Sequence, residues 1–182
     1  VETSLMLFRG MADLGFTDII CTPHIIADTH PNNPETIQNA AQFLKSEAQK
    51  LGVNLDFRIA AEYMLDTSFS ELLQKEKLLT LKENYVLVEM SYLNPPMQLV
   101  DLIYEIQLAG YIPVLAHPER YLFYHNNTSE YEKLKNAGCL FQLNLLSTVE
   151  YYGSKIAKTA DELLKKGMYK IVVNFSFFRE LV

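Results

Sequence analysis

No apolar run in this 182-residue sequence approaches the roughly 18 residues that a membrane-spanning helix requires. The longest, residues 112–116 and 169–173, are strand-sized, which predicts a soluble protein that is not membrane-inserted. Lysine and arginine are also scarce, 16 against 22 aspartate and glutamate, giving a formal net charge of -6. They nowhere gather into a basic face, which argues against a nucleic-acid partner. Cysteine occurs twice, as Cys21 and Cys139, each inside an apolar run. That usage fits two small buried side chains in a reducing, cytoplasmic compartment. Neither cysteine has an arginine at the sixth position after it, where Ala27 and Leu145 stand. A cysteine-nucleophile phosphatase is thereby disfavoured. Glycine never clusters into a dinucleotide or Walker-type phosphate loop, which weakens an open-sheet nucleotide-binding fold.

What is present is ordinary globular material, 49% hydrophobic and 21% charged, enough to bury one sizeable core in a single domain spanning residues 1–182. Leu5, Phe8, Met11, Ala12 and Leu14 share one helical face directly after Val1. The chain therefore reads as beginning mid-fold, with a first strand missing. From there apolar strands alternate with helices. Strands are expected at 18–22, 57–61, 85–88, 111–116, 139–143 and 169–173, with helices after Pro34, near 69–75, after Pro95 and Pro96, after Thr128 or Ser129, and from about Ser154. Gly52, Gly110, Gly138 and Gly167 close four of the helices.

Such alternation is the mark of a parallel sheet, because parallel neighbours need a long crossover. His24, Glu62, Glu89, His117 and Asn144 each follow the apolar run of a strand, spaced by roughly 30 residues, about one unit of a strand–helix barrel. In a barrel those strand ends converge on one mouth, where two imidazoles and two carboxylates would suit a divalent metal such as manganese, zinc or iron. A metal cluster of that kind lowers the pKa of bound water and aims hydroxide at phosphorus. Arg120, three residues past His117, is placed to clamp a phosphate.

Plainer roles exist for each residue. His24 could be a loop histidine, Glu62 and Glu89 solvated strand-end carboxylates, and Arg120 a rim partner of Glu119. Asn144 suits backbone satisfaction better than substrate contact. Tyr63, Tyr92, Tyr121 and Tyr124 either wall an entrance for a phenolic ring or pack half-buried beside their strands. His30 and His125, set among polar loop residues, are expected at the surface.

The runs Ile20-Cys21-Thr22-Pro23-His24, Ala61-Glu62-Tyr63, Val88-Glu89 and Ala116-His117-Pro118-Glu119-Arg120-Tyr121 resemble the bacterial capsule and exopolysaccharide tyrosine-protein phosphatases of the polymerase and histidinol phosphatase (PHP) superfamily. Pro31-Asn32-Asn33-Pro34-Glu35-Thr36 and Phe141-Gln142-Leu143-Asn144 extend the likeness over nearly the whole chain. The resemblance implies a distorted TIM-like (β/α) barrel of the PHP type holding up to three metal ions, commonly Mn2+, with Zn2+ or Fe2+ as alternatives. It implies a phosphotyrosine protein as substrate, a tyrosine kinase of polysaccharide export. It also implies His24, Glu62, Glu89 and His117 as metal ligands, Glu62 bridging, Arg120 and His117 as catalytic residues, and Arg120 with Tyr63 at the substrate.

Two family elements are missing. The opening His-x-His motif would precede Val1, and Asn174-Phe175-Ser176-Phe177-Phe178 stands where Ser-Asp-x-His is expected. An incomplete barrel follows, as a fragment of an active enzyme in preference to a relative that has lost catalysis, with weak metal binding and slow turnover by these residues alone. Two further functions stay in view: a phosphatase of small esters such as histidinol phosphate, and a catalytically degenerate binding module of the export machinery. Nothing in the sequence marks an oligomeric interface.

Overall fold

In the computed structural model, described over residues 1–53 and 56–173, six helices and eight short strands alternate along the chain. Helix α1 (Glu2–Asp13) leads to β1 (Ile20–Cys21) and β2 (His24–Ile25), then α2 (Pro34–Lys50), β3 (Arg58–Ile59) and β4 (Glu62–Met64). There follow α3 (Phe69–Lys75), β5 (Tyr85–Glu89), α4 (Leu99–Leu108), β6 (Ile112–Ala116), α5 (Thr128–Asn136), β7 (Leu140–Asn144), α6 (Ser154–Lys165) and β8 (Ile171–Val173).

Local chemistry accounts for most boundaries. Pro34 opens α2 at a position whose N–H has no helical partner, and Asn33 caps it by accepting from Thr36 N–H at 2.9 Å. The Thr36 hydroxyl returns a bond to Asn33 N–H, completing a capping box. Gly52, Gly110, Gly138 and Gly167 all take positive φ just past a helix end, where a side chain would strain the backbone. Helix α5 starts one residue earlier than its hydroxyl signal suggests. Asn127 occupies the cap and binds the Ser129 hydroxyl rather than a backbone N–H.

The sheet runs β2-β4-β5-β6-β7-β8, every neighbouring pair parallel, with β1 and β3 pairing separately. The first two expected strands, 18–22 and 57–61, are each cut to two residues, β1 and β3, and a second short strand, β2 and β4, follows after a gap at 22–23 and at 60–61. Their ladder still carries through, since Ala60 N–H donates to Cys21 C=O at 2.8 Å and Glu62 N–H to Pro23 C=O at 3.0 Å. Among the described residues no ladder joins β8 back to β1 or β2. The architecture shown is an α/β fold on a parallel sheet in sequential order.

Strand geometry sorts residues onto two faces by alternation. Val86, Val88 and Met90 join the large cluster with Ile103, Ile106, Leu134 and Phe141 beneath the helices. Ala60, Leu87, Val114 and Ala116 form a second cluster on the opposite face. Burial on both faces is what a parallel sheet demands. Helix α1 packs Leu5 and Phe8 against Ile19, Leu44 and Phe57. Ala12 and Leu14, expected on that face, are exposed, because the helix ends at Asp13 and Leu14 turns outward at 74% exposure.

Candidate metal centre

The face that carries Ala60 and Leu87 ends, at the carboxyl ends of its strands, in polar groups. Glu62 follows Ala60 at spacing two, Glu89 follows Leu87, and Gln142 and Asn144 follow Leu140. Register then brings them level: His24 lies beside Glu62 in the ladder, and Met64 beside Glu89. His117 arrives from the end of β6 in a left-handed conformation, φ 36° and ψ 53°, with its N–H donating to Gln142 C=O at 2.9 Å. A non-glycine residue held there, and before proline, costs on the order of 1–3 kcal/mol.

Four predicted side chains are brought together. Nδ1 of His24 stands 2.7 Å from Glu89 Oε1 and 3.7 Å from Glu62 Oε2. Nε2 of His117 stands 3.1 Å from Glu62 Oε1 and 3.7 Å from Glu89 Oε2. One ligand atom each from His24, Glu62 and Glu89 lies within 4.8 Å of the others, a separation that one cation can span. Glu62, Glu89 and His117 are 1%, 2% and 3% exposed, so two carboxylates share a water-poor site. Burying them costs several kcal/mol unless positive charge compensates. The 2.7 Å approach of Glu89 Oε1 to His24 Nδ1 sets two potential ligand atoms side by side. The donor set, imidazole nitrogen with carboxylate oxygen, fits a borderline divalent metal.

Arg120 sits beside this cluster, with the ring of Tyr92 as the link. Tyr92 stacks on His117 at 5.6 Å, its hydroxyl 3.4 Å from His117 Nε2, and the guanidinium carbon of Arg120 lies 4.9 Å from the Tyr92 ring centre. Arg120 also meets the Tyr152 ring, at 4.1 Å from its centre. Glu119 is not its partner. That carboxylate is wholly buried and accepts from Asn144 N–H, the Ser147 hydroxyl and the Tyr169 hydroxyl. Burial and the Glu119 charge push the Tyr169 phenol well above its ordinary value, so it remains a donor.

Tyr63 is not brought to this rim. Adjacent to Glu62 on a strand, it must point to the opposite face, where it is 1% exposed and packs edge-on to Phe69. Its hydroxyl accepts from Leu79 N–H at 2.8 Å, and burial pushes it up to about 12. Tyr121 and Tyr124 are buried as well, whereas Tyr92 is exposed at the site. Asn144 satisfies neighbours as expected, accepting from Leu146 N–H and donating to the Tyr152 hydroxyl. His30 is exposed, as expected, with its ring 5.5 Å from that of His24, next to the Ile26–His30 bridge. His125 stands 2.8 Å from Glu119 C=O, bracing the loop after His117. Tyr152 carried no sequence signal at all. The 174–178 run lies outside the described residues.

Burial pushes the Cys21 and Cys139 thiols up to about 12, which keeps both as inert core atoms. No helix among the described residues is long and apolar enough to cross a membrane.

Comparison with known proteins gives the chain its relatives. The family profile for capsular polysaccharide synthesis, CpsB/CapC, matches residues 1–176. CapC of Staphylococcus aureus is 27% identical over 177 residues, covering 96% of this chain and 69% of that protein. The tyrosine-protein phosphatase YwqE of Bacillus subtilis is 28% identical over 172 residues, covering 94% and 68%. Among solved structures, one from the crystal structures of YwqE of Bacillus subtilis and CpsB of Streptococcus pneumoniae, described as unique metal-dependent tyrosine phosphatases, aligns with a TM-score of 0.84. It is 28% identical and covers 93% of this chain and 69% of that one.

Proposed function

The chain belongs to the capsular polysaccharide synthesis, CpsB/CapC, family, and from that premise we propose that it is a metal-dependent protein-tyrosine phosphatase serving capsular or exopolysaccharide biosynthesis. The observation that carries this reading is the buried meeting of His24, Glu62, Glu89 and His117 at one sheet edge. These four side chains would hold the metal, Mn2+ first among the candidates. A divalent ion there supplies Lewis acidity and a nucleophile at neutral pH.

The remaining work falls to the protein. Arg120 grips the phosphate through its N–H edge, drawing the substrate's negative charge to the cluster. The apolar ring of Tyr92 flanks the same spot and offers a surface to a phenolic leaving group. The sequential parallel sheet supports a PHP-type barrel built as a single domain, and the two buried, unpaired thiols suit a reducing cytoplasm. The substrate we favour is a phosphotyrosine-bearing kinase of polysaccharide export.

Phosphate release from a phosphotyrosine peptide tests the proposal. Turnover should vanish with a chelator, return on adding Mn2+, and exceed that on histidinol phosphate. Chelator-resistant turnover would remove the metal mechanism, and a preference for histidinol phosphate would favour the small-ester reading.

A further inference from the structure

We propose that Tyr152 and Asn144 form a positioning pair that holds the Arg120 guanidinium with its N–H edge turned outward for phosphate. The inference rests on the reading of Arg120 as the phosphate grip, and it concerns residues outside the metal cluster.

The Arg120 guanidinium lies against two aromatic rings. Tyr92 lies 4.9 Å from the guanidinium carbon and Tyr152 4.1 Å. A ring attracts the cation without a hydrogen-bond acceptor, in contrast to a carboxylate, which would consume its N–H groups. No described carboxylate forms an ion pair with Arg120. The outer ring, Tyr152, is anchored in turn, its hydroxyl accepting from Asn144 Nδ2 at 3.2 Å.

Asn144 is itself immobilised. It is 1% exposed, its Oδ1 accepts from Leu146 N–H at 3.1 Å, and its N–H donates to Glu119 Oε1 at 3.1 Å. Glu119 is the chain neighbour of Arg120, whose own N–H donates to His117 C=O at 2.9 Å. The contacts therefore close a ring: Arg120 to Tyr152, Tyr152 to Asn144, Asn144 to Glu119, and Glu119 back to Arg120 through the peptide bond. A free arginine side chain loses considerable rotamer entropy when it binds, and a ring of fixed contacts removes that loss in advance.

A double-mutant cycle on the manganese-loaded protein tests this, using inorganic phosphate as competitive inhibitor alongside KM for a phosphotyrosine peptide. Tyr152→Leu should weaken phosphate inhibition and raise KM by about 10-fold, the size of one partly desolvated cation–π contact. Tyr152→Phe, which keeps the ring but frees it from Asn144, should cost about 3-fold. In an Arg120→Ala background, either Tyr152 change should add nothing. If Arg120→Ala weakens phosphate while both Tyr152 variants leave it unchanged, the positioning pair is overturned and the phosphate grip stands. Equal losses from Tyr152→Leu with and without Arg120 would make Tyr152 merely structural, overturning the pair. Unchanged inhibition in Arg120→Ala would remove the grip itself, and the pair with it. Should Tyr152→Leu not fold, the Tyr152→Phe arm of the cycle decides alone.

Discussion

Glu62 has the most demanding surroundings of any side chain at the site. It is buried beside a second carboxylate, Glu89, with the imidazoles of His24 and His117 at 3.7 and 3.1 Å. Such an arrangement destabilises the metal-free protein and is relieved when a cation arrives. Replacing Glu62 by Gln should therefore lower peptide hydrolysis by at least about 100-fold and reduce bound metal, measured by elemental analysis. In the presence of chelator the same variant should melt above its parent, because one of two crowded buried charges is gone. A lower melting temperature would show that Glu62 is already fully compensated by the protein. The sequence made this residue legible through its place at a strand end. The same alternation that turns Glu62 inward turns Tyr63 away, so that residue's burial was also readable from its neighbour. Tyr152 was not, since its contact with Arg120 depends on a fold that crosses from the end of β6 to the loop before α6.

Helix α2 shows how far short-range chemistry reaches. The Asn33 cap, the Thr36 return bond and Pro34 at the first turn are all local, and the helix begins where they place it. Asn33→Ala should cost about 1 kcal/mol, seen as a shift of the urea midpoint without a change in slope. Gly138 combines a local and a distant demand. Its φ of +87° resists any side chain, and a Cβ there would run into the Gln107 amide that donates to Ala137 C=O. Gly138→Ala should cost about 1–2 kcal/mol by the same assay, and an unchanged midpoint would mean that the turn relaxes freely. Helix ends marked by glycine were legible for this reason. The short second strands β2 and β4 were less so, although Pro23, which lacks an N–H to continue β1, marks the first gap.

At the scale of the molecule, buried phenols and thiols set an alkaline limit. Burial raises Cys21, Cys139 and Tyr63 to about 12, and raises Tyr121 as well. A group whose folded pKa is raised is more protonated in the native state, so its stabilisation is complete below the unfolded value and is lost as pH climbs toward the folded one. The thiols start this loss near pH 9.0 and the phenols near 10.0. Each deprotonating group removes about 1.4 kcal/mol per pH unit across that window. Denaturant midpoints should hold level from pH 7 to 8.5 and fall steeply from about pH 9.5. A flat profile to pH 11 would mean that these side chains reach solvent in the native state.

The order of strands in the sheet matches their order in the chain from β2 to β8. A polypeptide leaving the ribosome could thus lay down its sheet like courses of brick, each new strand docking on the one just finished. The earliest courses bring His24, Glu62 and Glu89 together, while His117 comes only with the end of β6. A nascent chain halted before that point would present an open-sided acidic cup, and its second imidazole would be fitted late in synthesis.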